Sequence, residues 1–267
     1  MFCEWTLGNA IWYAEHKREG QKLVGRLHLQ EIDHVLFPDI PFEVFDTVMF
    51  VGPHILRQAI AKNPVLEKNG IVVYNGVDIK GLQSASRKLT NGKVLGFVGI
   101  VPRRKRFDLA LDILQELRKE DEGYTIRVKG KRPEEFAWMA SRPDEMAWYE
   151  EQYRRIDEDP LLQGAVIFDP HRNDMPEWYS GIDFALSTSD FESFHFTIAD
   201  GMAAGCTPVI LPWEGADEIY PKEWLYSDVM AAVKGIKGGE KDQSSIREVV
   251  ERFFDIEKIS QTIINHF

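Results

Sequence analysis

Cysteine is nearly absent: Cys3 and Cys206 are the only two in 267 residues, far apart and without CxxC or metal-type spacing. A disulfide framework is thereby excluded as the source of stability, and a reducing compartment fits. The sequence also lacks any apolar run long enough to cross a bilayer, and no basic-then-apolar leader opens it. The expected location is cytoplasmic, with room for peripheral contact at the inner face of a membrane. Excess positive charge is missing too. Against 43 acidic residues stand 32 basic ones, a net charge of −11, which argues against a polyanion-binding surface and against nucleic acid as a partner. Solenoid repeats, low-complexity tracts, HExxH, zinc-type Cys/His clusters, Walker loops and GxSxG elbows do not occur.

What is present is core material and a repeating pattern. At 44% hydrophobic, with 16 Phe and 7 Trp, the chain can build one large or two ordinary domains. Apolar runs of strand length at 22–27, 47–51, 71–74, 93–98, 124–128, 165–168, 182–186 and 208–211 alternate with helical stretches. That alternation predicts α/β architecture with a parallel sheet. From residue 93 onward at least five strands imply a doubly wound, Rossmann-like sheet with right-handed crossovers. In the helix expected over 107–119, Phe107, Ala110, Leu111, Leu114 and Leu117 share one face. Asn75-Gly76-Val77-Asp78 marks a reversal. Residues 234–243, with three glycines and mixed charge, read as flexible, and two amphipathic helices over 245–254 and 256–265 close the chain.

The most informative stretch runs from Leu186 to Ile210, LSTSDFESFHFTIADGMAAGCTPVI. It reads as strand, small polar loop, short helix and strand. A helix beginning near His195 would aim unpaired N–H groups at the crevice beyond the strands, where an anion is favoured. Phe194, His195 and Phe196 stand at that helix start. Glu192 lies in the loop before it and Asp200 lies inside it. Upstream, the strand 93–98 ends at Gly99 and leads into Arg103-Arg104-Lys105-Arg106, a cationic loop at the same expected edge.

These residues carry a family resemblance. Glu192 to Val209 resembles the E-x7-E segment of retaining glycosyltransferases of the GT-B fold, family 4 type (glycosyl transferases group 1). Asp200 stands where that family usually has Glu, and His195 where it often has Gly. Gly99 to Arg106 is similar to the family's glycine–arginine–lysine loop, with Ile100 in place of the first arginine. The NGVD at 75–78 resembles the passage between the two GT-B domains.

The resemblance implies roles for these positions. Glu192 contacts the donor sugar, Asp200 the ribose, and Lys105, with Arg103 or Arg104, the diphosphate. Main-chain N–H groups at 194–196 add to phosphate binding. His28, at the end of a strand in Arg26-Leu27-His28, is similar to the family histidine facing the donor across the cleft, and Lys131 and His171 are candidates to line the nucleotide pocket.

The implied layout is a GT-B fold with residues 1–80 as a partial N-terminal, acceptor-side α/β domain and 81–92 as linker. Residues 93–254 form the donor domain, and 255–267 a helix crossing back. The start of a typical N-terminal domain is missing from this pattern, so an upstream domain or partner chain completing that half is expected. The expected activity is transfer, with retained configuration and without a metal, of a sugar from a nucleotide diphosphate to a glycan, lipid-linked or small acceptor, as in polysaccharide biosynthesis. No cofactor beyond that donor is expected. The D-x-D form at 157–159, used by metal-dependent transferases of another fold, ends a charged helical stretch before Pro160 and reads as solvated surface. Alternatives are a nucleotide-sugar-binding module without turnover and a GT-B nucleotide-sugar epimerase. A purely structural protein leaves the basic loop and paired acids unexplained.

Overall fold

A computed structural model of the chain describes residues 1–239 and 242–267. Two parallel sheets organise it. The first contains β1 (Phe2–Cys3), β2 (Val24–Leu27), β3 (Thr47–Phe50) and β4 (Gly70–Val72) in the order β1-β2-β3-β4. The second contains β5 (Val94–Val98), β6 (Thr125–Lys129), β7 (Val166–Asp169), β8 (Phe184–Ser187) and β9 (Thr207–Ile210), ordered β7-β6-β5-β8-β9. All pairings are parallel. β3, β8 and β9 are buried at every position, as strands covered on both faces must be, which is why they read as apolar runs without alternation.

The order of the second sheet reverses between β5 and β8. Successive crossovers lead outward from β5 through β6 to β7, and the chain then returns to β5's other side. The loops after β5 and β8 therefore diverge and leave a crevice at their carboxyl ends, where open α/β sheets bind ligands.

Helices cover both faces of this sheet. Phe107–Arg118 buries Phe107, Ala110, Leu111, Ile113, Leu114 and Leu117 in a cluster shared with Val229–Lys237. Each fully buried Leu or Phe contributes about 1.5–3 kcal/mol relative to exposure. On the opposite face Phe196–Ala203 and Gln243–Phe253 join a core that continues into the first sheet, from Leu27, Phe50 and Ile55 to Ile198, Met202, Trp213 and Phe254. The last helix, Ile256–Ile264, brings Ile259 and Ile263 against Val24, Met49 and Val73 of the first half. Val77 and Asp255 form a parallel bridge that holds this return.

Several elements differ from the pattern in sequence. The first block has four strands where three are legible, because β1 is only two residues long. Residues 30–45 break into the short turns Leu29–Ile32, Phe37–Asp39 and Phe42–Val44, with Pro38 near the start of the second and Pro41 capping the third. Within 81–92, Arg87 donates to the carbonyls of Tyr179 and Ile182 and approaches buried Asp183, so that part of the stretch is fastened to the second sheet. Of the segment expected to be flexible, residues through Lys237 continue the helix Val229–Lys237, and Glu240 and Lys241 lie outside the described residues. No helix among the described residues is long and apolar enough to cross a membrane.

Candidate donor site at the switch point

The loop after β5 turns at Gly99, whose φ of 72° lies in the left-handed region that glycine enters without steric cost. Its path is pinned from below, where the buried Tyr149 hydroxyl donates to the Ile100 carbonyl at 2.9 Å. Arg103–Lys105 then forms one turn of 3-10 helix. With three residues per turn, successive side chains leave about 120° apart, and the three cations part company. Arg103 lies over the Trp148 ring at 5.2 Å. Arg104 donates to the Phe191 carbonyl at 2.6 Å. Lys105 reaches into the crevice, where its Nζ meets Glu192 Oε1 at 2.5 Å.

The two loops are stitched together around that pair. Thr188, just beyond β8, donates to the carbonyls of Lys105 and Arg106, and Asp190 N donates to the Arg104 carbonyl at 2.8 Å. Ser189 Oγ donates to the same Glu192 oxygen at 2.8 Å. Burial works to raise the Glu192 pKa, but the neighbouring His195, Lys105 and Ser189 outweigh it and hold the carboxyl below its ordinary value. His195 is fully enclosed, and burial lowers its pKa to about 4 against the pull of Glu192. The ring is therefore neutral at pH 7, and the cations that keep Glu192 ionised are Lys105, at 2.5 Å, and Arg104, at 3.8 Å from the same oxygen.

His195 also explains a departure seen in the sequence. It caps the helix Phe196–Ala203 with φ 64°, a left-handed conformation that glycine adopts freely and other residues adopt at a cost. The ring is anchored by a hydrogen bond between Nδ1 and Ser187 Oγ at 2.7 Å. Beyond it, Ile198 N donates to the His195 carbonyl at 3.1 Å, which leaves the N–H groups of Phe196 and Thr197 without a partner in the helix, at the end that follows the Glu192 loop. Phe194 is buried among Tyr74, Tyr220 and Phe254, while Phe196 stays exposed. Asp200, one turn further on, is half-buried, and its carboxyl makes no hydrogen bond among the described residues. Burial raises its pKa to about 7.

Other sequence candidates lie further out. His28 directly follows β2 in the first half, stacked on Trp5 at 4.1 Å with Nε2 3.1 Å from Glu4. Lys131 sits beyond β6 with its ammonium 5.9 Å from the Phe136 ring centroid, and His171 follows the edge strand β7. A cavity of about 450 Å³ opens near the other end of Phe196–Ala203, lined by Gln83, Arg87, Gly205 and Arg247. None of the crevice residues lines it.

One residue of the site carries no signal in the sequence. His54, on the helix Pro53–Lys62 that follows β3, is fully buried and points its Nε2 at the Glu192 carbonyl, 2.9 Å away. Tyr74 of the first half packs on Phe194 with ring centroids 6.3 Å apart. The carboxyl edges of the two sheets thus face each other across the crevice.

Two parallel α/β halves facing each other, with the site at the second sheet's switch point, define the GT-B glycosyltransferase architecture. Residues 92–237, more than half of the chain, match the model of the family glycosyl transferases group 1, and the protein belongs to that family. Among solved structures it is similar to HepE from Anabaena in complex with UDP and glucose, with 20% identity, TM-score 0.77, and 96% of this chain and 73% of that one covered. It is also similar to a glycosyltransferase from Rickettsia africae (14% identity, TM-score 0.71, covering 97% and 79%). A third is the lipopolysaccharide outer core galactosyltransferase WaaB without ligand (17%, 0.66, covering 100% and 75%). At these identities the likeness shows the fold. No curated protein matches the sequence.

Proposed function

We propose that the protein is a retaining, metal-independent glycosyltransferase of the family 4 type that transfers a sugar from a nucleotide-diphosphate donor to a glycan, lipid-linked or small acceptor. The observation that carries this reading is the meeting of Lys105, Glu192 and the start of Phe196–Ala203 at one crevice. In the transfer the bond between the anomeric carbon and a phosphate oxygen breaks, and its electron pair leaves with the diphosphate. A fixed ammonium and a set of amide dipoles in a site shielded from water are suited to that developing charge. Lys105 and the first-turn amides supply both, with Arg104 beside them.

Glu192 would accept hydrogen bonds from the donor sugar, and Asp200 from the ribose. Asp has a shorter arm than Glu, and its position within the helix brings the nucleotide close to the helix axis. His28 would face the donor from the first half. Lys105 is engaged by Glu192, so donor phosphate competes for the ammonium on entry. The UDP complexes of HepE support a nucleotide sugar as donor.

The test is incubation with radiolabelled nucleotide sugars and candidate acceptors. Release of nucleoside diphosphate with label in the acceptor, at retained anomeric configuration, is the expected result. Binding without release under any acceptor would favour a module without turnover, and conversion of free donor to its epimer would favour an epimerase.

A further inference from the structure

Among the described residues, the hydrogen bond from His54 to Glu192 is a direct polar link from the first sheet's half to the loop that carries the candidate site. Four observations show a built contact. His54 has 0% of its surface exposed. Its ring is set between Trp213, at 5.7 Å, and Phe191, at 6.5 Å edge-on. Gly215 holds φ 87°, and a Cβ there would come within 2.2 Å of the His54 ring, so the chain leaves this position without a side chain where the imidazole lies. Nε2 faces a carbonyl oxygen, which only accepts, so Nε2 carries the proton and Nδ1 is the bare acceptor, buried without a partner. Leaving a buried ring nitrogen unpaired is unfavourable, and a phenylalanine would avoid it. What phenylalanine cannot do is donate to Glu192.

We infer that His54 is a positioning residue: its Nε2–H fixes the Glu192 main chain from the opposite half, so that Glu192 is correctly set only when the two halves are seated together. The Phe191 and Glu192 carbonyls are gripped from two sides, by Arg104 of the second half and His54 of the first. The side chain of Glu192 has its own partners in Lys105 and Ser189. Main chain and side chain are thus fixed independently, and removing His54 frees the former while leaving the charge pair in place. Its distinctive effect is on turnover and on loop order, with little effect on diphosphate binding. The inference deepens the proposed transferase reading and rests on it for the role of Glu192.

The experiment compares wild type, His54→Gln and His54→Phe. Glutamine places an amide N–H near the Nε2 position and, like the histidine, leaves one acceptor unpaired; phenylalanine fills the space and donates nothing. Three quantities are read: thermal stability, affinity for UDP by calorimetry, and release of UDP from whichever nucleotide sugar wild type turns over. Amide hydrogen exchange over residues 189–195 is followed in parallel. The expected result for His54→Phe is UDP affinity within about threefold of wild type, kcat lowered tenfold or more, and faster exchange in the loop. His54→Gln should recover kcat and protection to within about threefold. Unchanged kcat and exchange in a folded His54→Phe, or equal losses in a folded His54→Gln, would overturn the inference. Should wild type release a nucleoside diphosphate from no nucleotide sugar, of any base, the transferase reading fails, while loop exchange still decides whether His54 orders Glu192.

Discussion

Lys105 and Glu192, 87 positions apart in the chain, form an ion pair of 2.5 Å with the lysine side chain 16% exposed and the glutamate 9%. Each loop supplies one partner, and the reversal of strand order between β5 and β8 brings them together. The pair is shielded enough that its two members are not equivalent. Lys105 has a flexible stem that can carry its charge to water, whereas Glu192 is held in place.

Lys105→Ala is therefore expected to cost more stability than Glu192→Ala. Stranding a buried charge costs about 3 kcal/mol or more; Arg104, 3.8 Å from the same carboxylate, offsets part of that, and the double variant should regain part of the loss. Urea denaturation in a double-mutant cycle measures it. The pair also has a pH signature. The folded Glu192 pKa lies below its ordinary 4.5, so the stability it contributes is present above that value and lost as pH falls through the folded one.

Ligand binding should separate the same two residues differently. Lys105→Ala removes a charge-assisted contact worth about 1.5–3 kcal/mol, so UDP affinity should fall roughly tenfold or more. Glu192→Ala releases Lys105 from its competitor and should leave UDP affinity equal or tighter while abolishing sugar transfer. Calorimetry with UDP and a turnover assay on the same preparations check both; equal loss of both properties in both variants would contradict the roles assigned here.

Asp200 gives a prediction centred near neutrality. Its pKa is raised to about 7 by burial, and a carboxylate accepting ribose hydroxyls must be ionised. UDP affinity should rise as pH increases through 7, and Asp200→Asn should flatten that dependence. Stability moves the other way. The folded state holds a proton between the ordinary value of 3.8 and about 7 that the unfolded state has lost, so the free protein should become less stable as pH rises across that window. Asp200→Asn should remove this slope as well.

Gly201 lets Phe196–Ala203 lie close to the sheet. A Cβ at that position would stand 2.7 Å from the Ala185 Cβ on β8, and neither the strand nor the helix can yield without moving the other. Gly201→Val should cost about 1–3 kcal/mol or more through overpacking, seen as a lower urea midpoint at unchanged slope. Lifting the helix also displaces its first-turn amides, so UDP affinity should weaken in the fraction that folds.

Much of this arrangement was legible in the sequence because it depends on local chemistry. Strands buried on both faces announce themselves as apolar runs, as at Phe184–Ser187 and Thr207–Ile210. A periodic face such as Phe107 to Leu117 identifies its helix, and a long motif around Glu192 and Asp200 identifies the family. What stayed hidden depends on geometry between distant segments. β1 makes only two residue pairs with β2, too few to leave a pattern. Arg103, Arg104 and Lys105 look alike as a basic run, and only the 3-10 turn decides which of them enters the crevice. His54 has no motif of its own, since its partner is a main-chain carbonyl 138 positions later. The signal that could have found it is indirect: the glycine at 215 is needed to make room for its ring.

The account stands most directly on where a nucleotide diphosphate binds. A crystal structure of the protein soaked with UDP should show a phosphate oxygen about 3 Å from Lys105 Nζ, the first-turn amides of Phe196–Ala203 aimed at the diphosphate, and Asp200 on the ribose. UDP lodged instead in the cavity between Arg87 and Arg247, with the Lys105–Glu192 pair undisturbed, would contradict it.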